Sequence, residues 1–226
     1  MAVRKNKALI LGASGLVGKE LVKILVQQKR YEKIILLVRR PIEIKESVLE
    51  LHTVDFNHLG NYSELFNNVT DVYCCLGTTI KKAKTREAFR KVDYVYPLEA
   101  AKVAKSRGVE NFLIITAMGA NPKSSFFYNR VKGEIEESLT MVFLPAINIF
   151  RPSLLLGERE EFRFGERLAA NVSGFLNKLM VGPLRPYRAI EAKKVAAAMA
   201  AVASTPKKGV HIYSSQEIEL WAQGKK

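Results

Sequence analysis

The feature that most constrains this chain is a glycine loop set between a short apolar run and an amphipathic stretch. Ala8-Leu9-Ile10-Leu11 is apolar throughout, as a central parallel strand is. Gly12-Ala13-Ser14-Gly15-Leu16-Val17-Gly18 follows, and Leu16, Val17, Leu21, Ile24 and Leu25 then recur at helical spacing over 16–28. Gly12 permits the sharp turn off the strand. Gly15 lets a helix N-terminus approach a pyrophosphate, whose charge suits free amides and the helix dipole. Gly18 permits close packing of helix on strand. The spacing G-x-x-G-x-x-G is a variant of the dinucleotide fingerprint G-x-G-x-x-G, with the second glycine shifted. Three glycines alone say little. The strand before them and the helix after them favour a dinucleotide site over a bare turn.

The rest of the chain continues the pattern. Apolar runs at 34–38, 51–54, 72–76, 112–115 and 147–150 predict strands, with a short helix over 61–66 and helices over 85–106 and 127–139 between them. Six strands separated mostly by helices imply crossovers and a parallel sheet. The fold class is α/β, a Rossmann-type doubly wound parallel sheet with a small C-terminal substrate lobe. The whole chain, 1–226, reads as a single domain, with its core in 1–150 and the lobe largely in 151–226. Within the lobe, 157–187 reads as loop, helix, loop, and 191–203 as an Ala-rich helix. A last strand is expected over 210–213, and Ser214 to Glu217 fits a capping box opening a terminal helix. Phe162, Phe164, Phe175 and Tyr187 are candidates for a pocket lining, although ordinary packing accounts for them equally well.

An NAD site usually carries an acidic residue about 20 positions beyond the loop, to hold the ribose hydroxyls. Here Arg39 and Arg40 end the second strand at that distance. Guanidinium forks match a 2′-phosphate. NADP(H) is therefore the expected cofactor, the alternative being that the arginines are surface residues. Asp55 and Phe56, ending the third strand, are placed to contact adenine; Asp55 serves equally well as a turn cap.

Lys and Arg number 36 against 22 Asp and Glu, a net charge of +14. Such a field favours polyanionic ligands. The charges are scattered and no nucleic-acid reading motif accompanies them, so no specific nucleic-acid partner is expected. The densest segment, Lys81 to Arg86, reads as a loop near a ligand. No run is long and apolar enough to span a membrane and no signal peptide is read, which suggests a cytoplasmic protein. Adjacent Cys74 and Cys75 read as reduced, buried thiols. His52, His58 and His211 lack ligand spacing, and no metal is expected.

Tyr128 and Lys132 form Y-x-x-x-K on a helix, where i and i+4 share a face. A phenol is a poor acid–base group at neutral pH; an ammonium beside it favours the phenolate and can also hold ribose hydroxyls. The motif is weak alone and gains from its place after the fifth strand. With these residues, the chain resembles the short-chain dehydrogenase/reductase superfamily, in the atypical branch that includes the Tat-interacting protein 30 type of oxidoreductase. The resemblance covers GASGLVG, Leu37-Val38-Arg39-Arg40, Val54-Asp55-Phe56, Cys74 to Thr79, Val92-Asp93, the Tyr128/Lys132 pair, Phe150-Arg151-Pro152 and the Ala-rich helix.

The resemblance implies a loop of Leu76, Gly77, Thr78 and Thr79 over the cofactor, with Pro152 and Ser153 bordering the carboxamide. It implies hydride transfer with Tyr128 as proton donor. It also implies a serine hydroxyl at the end of the fifth strand. This chain reads Thr116-Ala117 there. Thr116 can replace the serine; if Ala117 stands in its place, that hydroxyl is lost. The expected function is an NADP(H)-dependent oxidoreductase that reduces a small carbonyl compound, as a monomer or homodimer. The alternatives are a cofactor-holding redox sensor or partner-binding protein with little turnover, or an NAD(P)-using isomerase or dehydratase.

Overall fold

The computed structural model describes residues 6–156 and 188–225. Its main sheet has seven parallel strands, β1 (Lys7–Leu11), β2 (Lys33–Val38), β3 (Leu49–Thr53), β4 (Val69–Cys74), β5 (Asn111–Ile115), β6 (Ala146–Arg151) and β9 (Gly209–Ser214), in the order β3-β2-β1-β4-β5-β6-β9. A small separate pair joins β7 (Leu155–Leu156) to β8 (Ile190–Glu191). The helices are α1 (Leu16–Gln28), α2 (Ile80–Ala83), α3 (Arg86–Arg90), α4 (Tyr96–Ser106), α5 (Phe127–Thr140), α6 (Ala192–Ala203) and α7 (Ser215–Ala222), with a 3₁₀ segment over Phe56–Phe66 and a π turn over Lys91–Val95.

Side-chain alternation sorts the strands onto two cores. Ala8 and Ile10 face α1, α6 and α7; Leu9 and Leu11 face the 3₁₀ segment, α4 and α5. Both faces are covered, which is why β1 and β2 read as unbroken apolar runs. The strand order reverses between β1 and β4. That switch point opens a crevice at the carboxyl ends of the strands.

The expected substrate lobe divides differently. Residues 188–225 pack on the sheet itself. Five of the seven alanines of α6 are buried in the core on the α1 face, and β9 adds the seventh strand. The segment 157–187, with Phe162, Phe164, Phe175 and Tyr187, lies outside the described residues. The capping box at α7 is formed as read, with Ser214 and Glu217 each bonding the other's backbone.

Several elements depart from the sequence reading: the short helix expected over 61–66 is the 3₁₀ segment from Phe56, the strand expected from Leu51 begins at Leu49, and three further differences have clear causes. β4 begins at Val69, not Val72, because the polar residues there join a buried network. Asp71 accepts from Tyr31 (3.0 Å), Thr70 (2.9 Å) and Asn111 (2.8 Å); Asn148 donates to Asn111 (2.7 Å) and Tyr213 to Asn148 (3.1 Å). The single helix expected over 85–106 is α3, a π turn and α4. Pro97 has no N–H to return to the Asp93 carbonyl, and the ladder shifts to i→i−5, as in Tyr96 N–H to Lys91 O. The basic segment expected as a loop is two short helices, α2 and α3, capped by the Thr79 and Thr85 hydroxyls.

Candidate active site

The glycine loop is built around space that no side chain may fill. Gly12 has φ +83°, and a Cβ there would meet the Cys75 carbonyl oxygen at 2.7 Å. A Cβ on Gly18 would lie 2.2 Å from the Gly12 oxygen, and one on Gly15 3.2 Å from it. Gly15 N–H donates to Gly12 O (3.0 Å), closing the turn. At the start of α1 no side chain caps the helix and no acid stands in its first turn. The loop therefore presents a close backbone approach and an uncompensated helix N-terminus to the crevice, which fits a pyrophosphate. Ala13 and Val17 are buried under the loop, and Leu16 packs on the α1 core.

The crevice brings together Gly12, Ser14, Gly15, Arg39, Phe56, Leu76 and Gly77, as the sequence suggested, and adds Cys75, Val92 and Tyr96. Arg39 lines it at the end of β2, and Arg40 is exposed beside it. Phe56 is buried, its ring 5.6 Å from that of Tyr96. Asp55 is the cap of the 3₁₀ segment: it accepts from Asn57 N (2.9 Å), Asn57 Nδ2 (2.7 Å) and His58 Nδ1 (2.8 Å). These bonds, with the backbone bond foremost, hold its carboxyl down to about 2. His52 pairs with Glu50. Cys74 is buried and Cys75 partly so; burial pushes the Cys74 thiol up to about 12, and neither cysteine is in a disulfide.

The second wall of the site is a charge pair. Lys132, on α5, is buried, and its ammonium lies 2.7 Å from Asp93 Oδ1 in the π turn, an ion pair without an aligned hydrogen bond. The second oxygen, Oδ2, accepts from Thr78 N–H (2.9 Å). Asp93 thus ties the loop after β4 to α5. Burial works against the charged lysine, but the Asp93 carboxylate and then the Tyr128 phenol outweigh it, and the Lys132 pKa is raised. Tyr128, half-buried one turn earlier on α5, lies 5.5 Å ring to ring from Phe89. Asp93 is the residue that a search for acid–base motifs misses. Its signal was indirect: an acid on the apolar stripe of a helix, four residues before a proline.

Thr116 is placed differently from its expected role at a substrate carbonyl. Its hydroxyl is buried and donates to Glu136 Oε1 (2.6 Å) on α5. The same carboxylate is paired with Arg151, whose Nε reaches its two oxygens at 3.0 and 3.1 Å. The group that polar partners demand of a buried carboxylate is supplied by Thr116, so its hydroxyl faces α5. Pro152 is buried, and its carbonyl accepts from Met118 N–H (2.9 Å). The Ser153 hydroxyl bonds the Arg188 carbonyl and accepts from Ser215 Oγ (3.1 Å). Thr79 caps α2.

A loop, strand order and crevice of this kind define a nucleotide-binding Rossmann protein, and comparison places it further. The family model described as NAD(P)H-binding matches residues 12–141. Rat protein HTATIP2 is 38% identical over 176 residues, covering 76% of this chain and 72% of the relative. FMP52-1, mitochondrial, of Scheffersomyces stipitis is 36% identical, covering 79% and 75%. The chain belongs to this NAD(P)H-binding family, in the atypical branch of the short-chain dehydrogenases/reductases. Among solved structures, MoeE5 in complex with UDP-glucose and NAD aligns with TM-score 0.70 at 16% identity, covering 96% of this chain and 81% of that one. A UDP-N-acetylglucosamine 4-epimerase from Methanobrevibacter ruminantium aligns with TM-score 0.70 at 12% identity, covering 94% and 77%. Both likenesses establish the fold. Among the described residues, no helix is long and apolar enough to cross a membrane.

Proposed function

We propose that this protein is an NADP(H)-dependent reductase of a small carbonyl compound. The observation that carries the reading is the buried Lys132 ammonium, paired with Asp93 and lying in the field of Tyr128. The open glycine loop, the bare α1 N-terminus and Arg39 at the crevice fit a dinucleotide with an added phosphate. When bound, NADPH supplies a hydride to a carbonyl carbon. Tyr128 gives its phenolic proton to the carbonyl oxygen, completing an alcohol, and Lys132 compensates the phenolate charge that results. Asp93 keeps the ammonium charged and in place. Tyr128 is half-exposed, so solvent can return its proton. Arg39 and Arg40 recognise the 2′-phosphate; Gly77 and Thr78, anchored by Asp93, border the ribose. Thr116 takes no part at the carbonyl in this reading, because its hydroxyl serves Glu136.

That last observation also favours a second reading, a cofactor-holding sensor that lacks a polarising hydroxyl on β5. The two are separated by turnover. Aldehydes, ketones and quinones are screened for NADPH oxidation, and Tyr128→Phe is compared with wild type. The reductase reading expects a fall in turnover of about 10²–10⁴ with NADPH affinity retained. No turnover by wild type, with tight NADPH binding and activity appearing in Ala117→Ser, would establish the sensor. As for compartment, the proposed cytoplasmic location contrasts with fungal relatives that carry "mitochondrial" in their names. Cell fractionation decides between them.

A further inference from the structure

We infer that the substrate carries an anionic group, a carboxylate or a phosphate, which Arg86 and Arg130 recognise on the rim beside Tyr128. The inference rests on the reductase reading and deepens it. On α3, Arg86, Phe89 and Arg90 share one face, spaced i, i+3 and i+4. That face runs along α5. Arg90 forms an ion pair with Glu134. Phe89 lies 5.6 Å from the Phe127 ring and 5.5 Å from Tyr128. Arg86, one turn toward the start of α3, sits 5.3 Å from the centre of the Phe127 ring. The two arginines of this face thus differ in charge compensation. Arg90 has the Glu134 carboxylate and also lies over the Tyr94 ring, 4.2 Å from its centre. Arg86 has the Phe127 ring, and among the described residues it makes no ion pair.

Arg130 is on the same ring, 5.9 Å from its centre. It donates to the Ser124 carbonyl (2.8 Å) and the Ser125 carbonyl (3.3 Å), which orient it without neutralising it. The first turn of α5 contains no acid, and Glu136 is committed to Arg151 and Thr116. Two guanidiniums near one aromatic ring, neither of them neutralised, leave local positive charge that a bound anion would offset. Arg86 is exposed, and its guanidinium carries the paired N–H donors that grip a carboxylate or phosphate in two-pronged fashion. The half-buried rings of Phe127 and Tyr128, both packed on the fully buried Phe89, offer an apolar surface suited to a flat or hydrocarbon body. The net charge of +14 draws such a ligand toward the protein.

The test compares benzaldehyde, 4-carboxybenzaldehyde and 4-formylphenyl phosphate in NADPH oxidation by wild type, Arg86→Ala and Arg86→Lys, with melting temperature checked for each. The expected result is a higher kcat/KM for at least one charged aldehyde than for benzaldehyde. Arg86→Ala should lower it by about ten- to a hundredfold and leave benzaldehyde within about twofold. Arg86→Lys should restore part of the loss, and the two charged aldehydes distinguish carboxylate from phosphate. Equal effects of Arg86→Ala on all three, or on none, would overturn the inference while leaving the reductase reading standing. If none of the three is reduced, the NADP⁺-loaded protein is titrated calorimetrically with benzoate and phenyl phosphate. Weaker binding in Arg86→Ala supports the anion site independently of turnover; unchanged or absent binding overturns it.

Discussion

The two walls of the crevice are built by opposite means. The β1–β3 side is shaped by missing side chains: at Gly12, Gly15 and Gly18 backbone packs directly on backbone, where a Cβ would meet the Cys75 or Gly12 carbonyl. The β4–β6 side is shaped by side chains brought from distant elements, with Asp93 in a π turn reaching Lys132 on α5. The first kind of site is local and written in consecutive residues. The second exists only after folding, because each partner's position depends on helix packing. One tolerates no added atom; the other tolerates no lost charge.

Adding a side chain on the glycine side should have the largest effect. Gly18→Val would force a branched side chain onto the Gly12 carbonyl and the Ala13 Cα, where even a Cβ meets atoms at 2.2 and 2.9 Å. The backbone must move, so NADPH binding should be abolished and the protein should lose stability or fail to fold, read by calorimetry and thermal unfolding. A variant that folded and bound normally would show that the loop is not held as tightly as its geometry requires.

On the other wall the corresponding break is Asp93→Asn. It keeps the shape, removes the charge and leaves a buried ammonium unpaired, a loss of about 3–5 kcal/mol in stability. Its pH dependence carries the sign. In wild type the Lys132 pKa is raised, so the pair's contribution is full below the pKa of an unfolded lysine and disappears as pH rises through the folded value. In Asp93→Asn burial loses its main counterweight, and the Lys132 pKa falls below its wild-type value. The stability gap between the two proteins should therefore narrow as pH climbs toward and beyond about 10. A gap that is constant with pH would mean that Asp93 acts by its shape and its bond to Thr78, not by its charge.

The same contrast governs what could be read beforehand. The glycine loop, the strand at 34–38 and the arginines beyond it were legible because hydrophobic run, turn residues and charge are contiguous. The strands over 112–115 and 147–150 and the α7 capping box were legible for the same reason. The start of β4 was not: Thr70 and Asp71 look like loop until Tyr31 and Asn111 arrive to satisfy them. The apolar run also overshot its strand, since Cys75 and Leu76 turn over the glycine loop. Tyr128 and Lys132 were visible as a motif, but nothing in their spacing names Asp93 as the lysine's partner. Nor does Ile115-Thr116-Ala117 say which way the hydroxyl points; Glu136 and Arg151 decide that from two other elements.

Cofactor choice offers a smaller effect on the glycine side. Arg39→Ala with Arg40→Ala should weaken NADPH by about ten- to a hundredfold while hardly changing NADH, because only the 2′-phosphate is lost as a partner. Titration by fluorescence gives both constants. Equal weakening for the two cofactors would move the arginines from phosphate recognition to adenine stacking; no weakening would make them surface residues.

The smallest expected effect sharpens the other wall. Thr116→Val replaces a hydroxyl by a methyl group of similar size, deep in the protein. Glu136 Oε1 loses a donor at 2.6 Å but keeps Arg151 Nε at 3.0 Å, so the carboxylate is not stranded. A loss of about 1 kcal/mol follows, which is a melting shift of about 2–4 °C for a chain of this size. NADPH affinity should not change, and turnover should stay within about threefold of wild type, because the hydroxyl is turned toward α5 and not toward the reacting carbonyl. Glu136→Gln serves as the companion, since it acts on the same cluster from the other side: it should cost more, having left Arg151 partly unpaired, and likewise spare NADPH binding. A hundredfold fall in turnover for Thr116→Val, with melting temperature intact, would instead put this hydroxyl at the substrate. It would also mean that β5 turns its end toward the crevice during reaction, and that the wall built from distant side chains rearranges when it works.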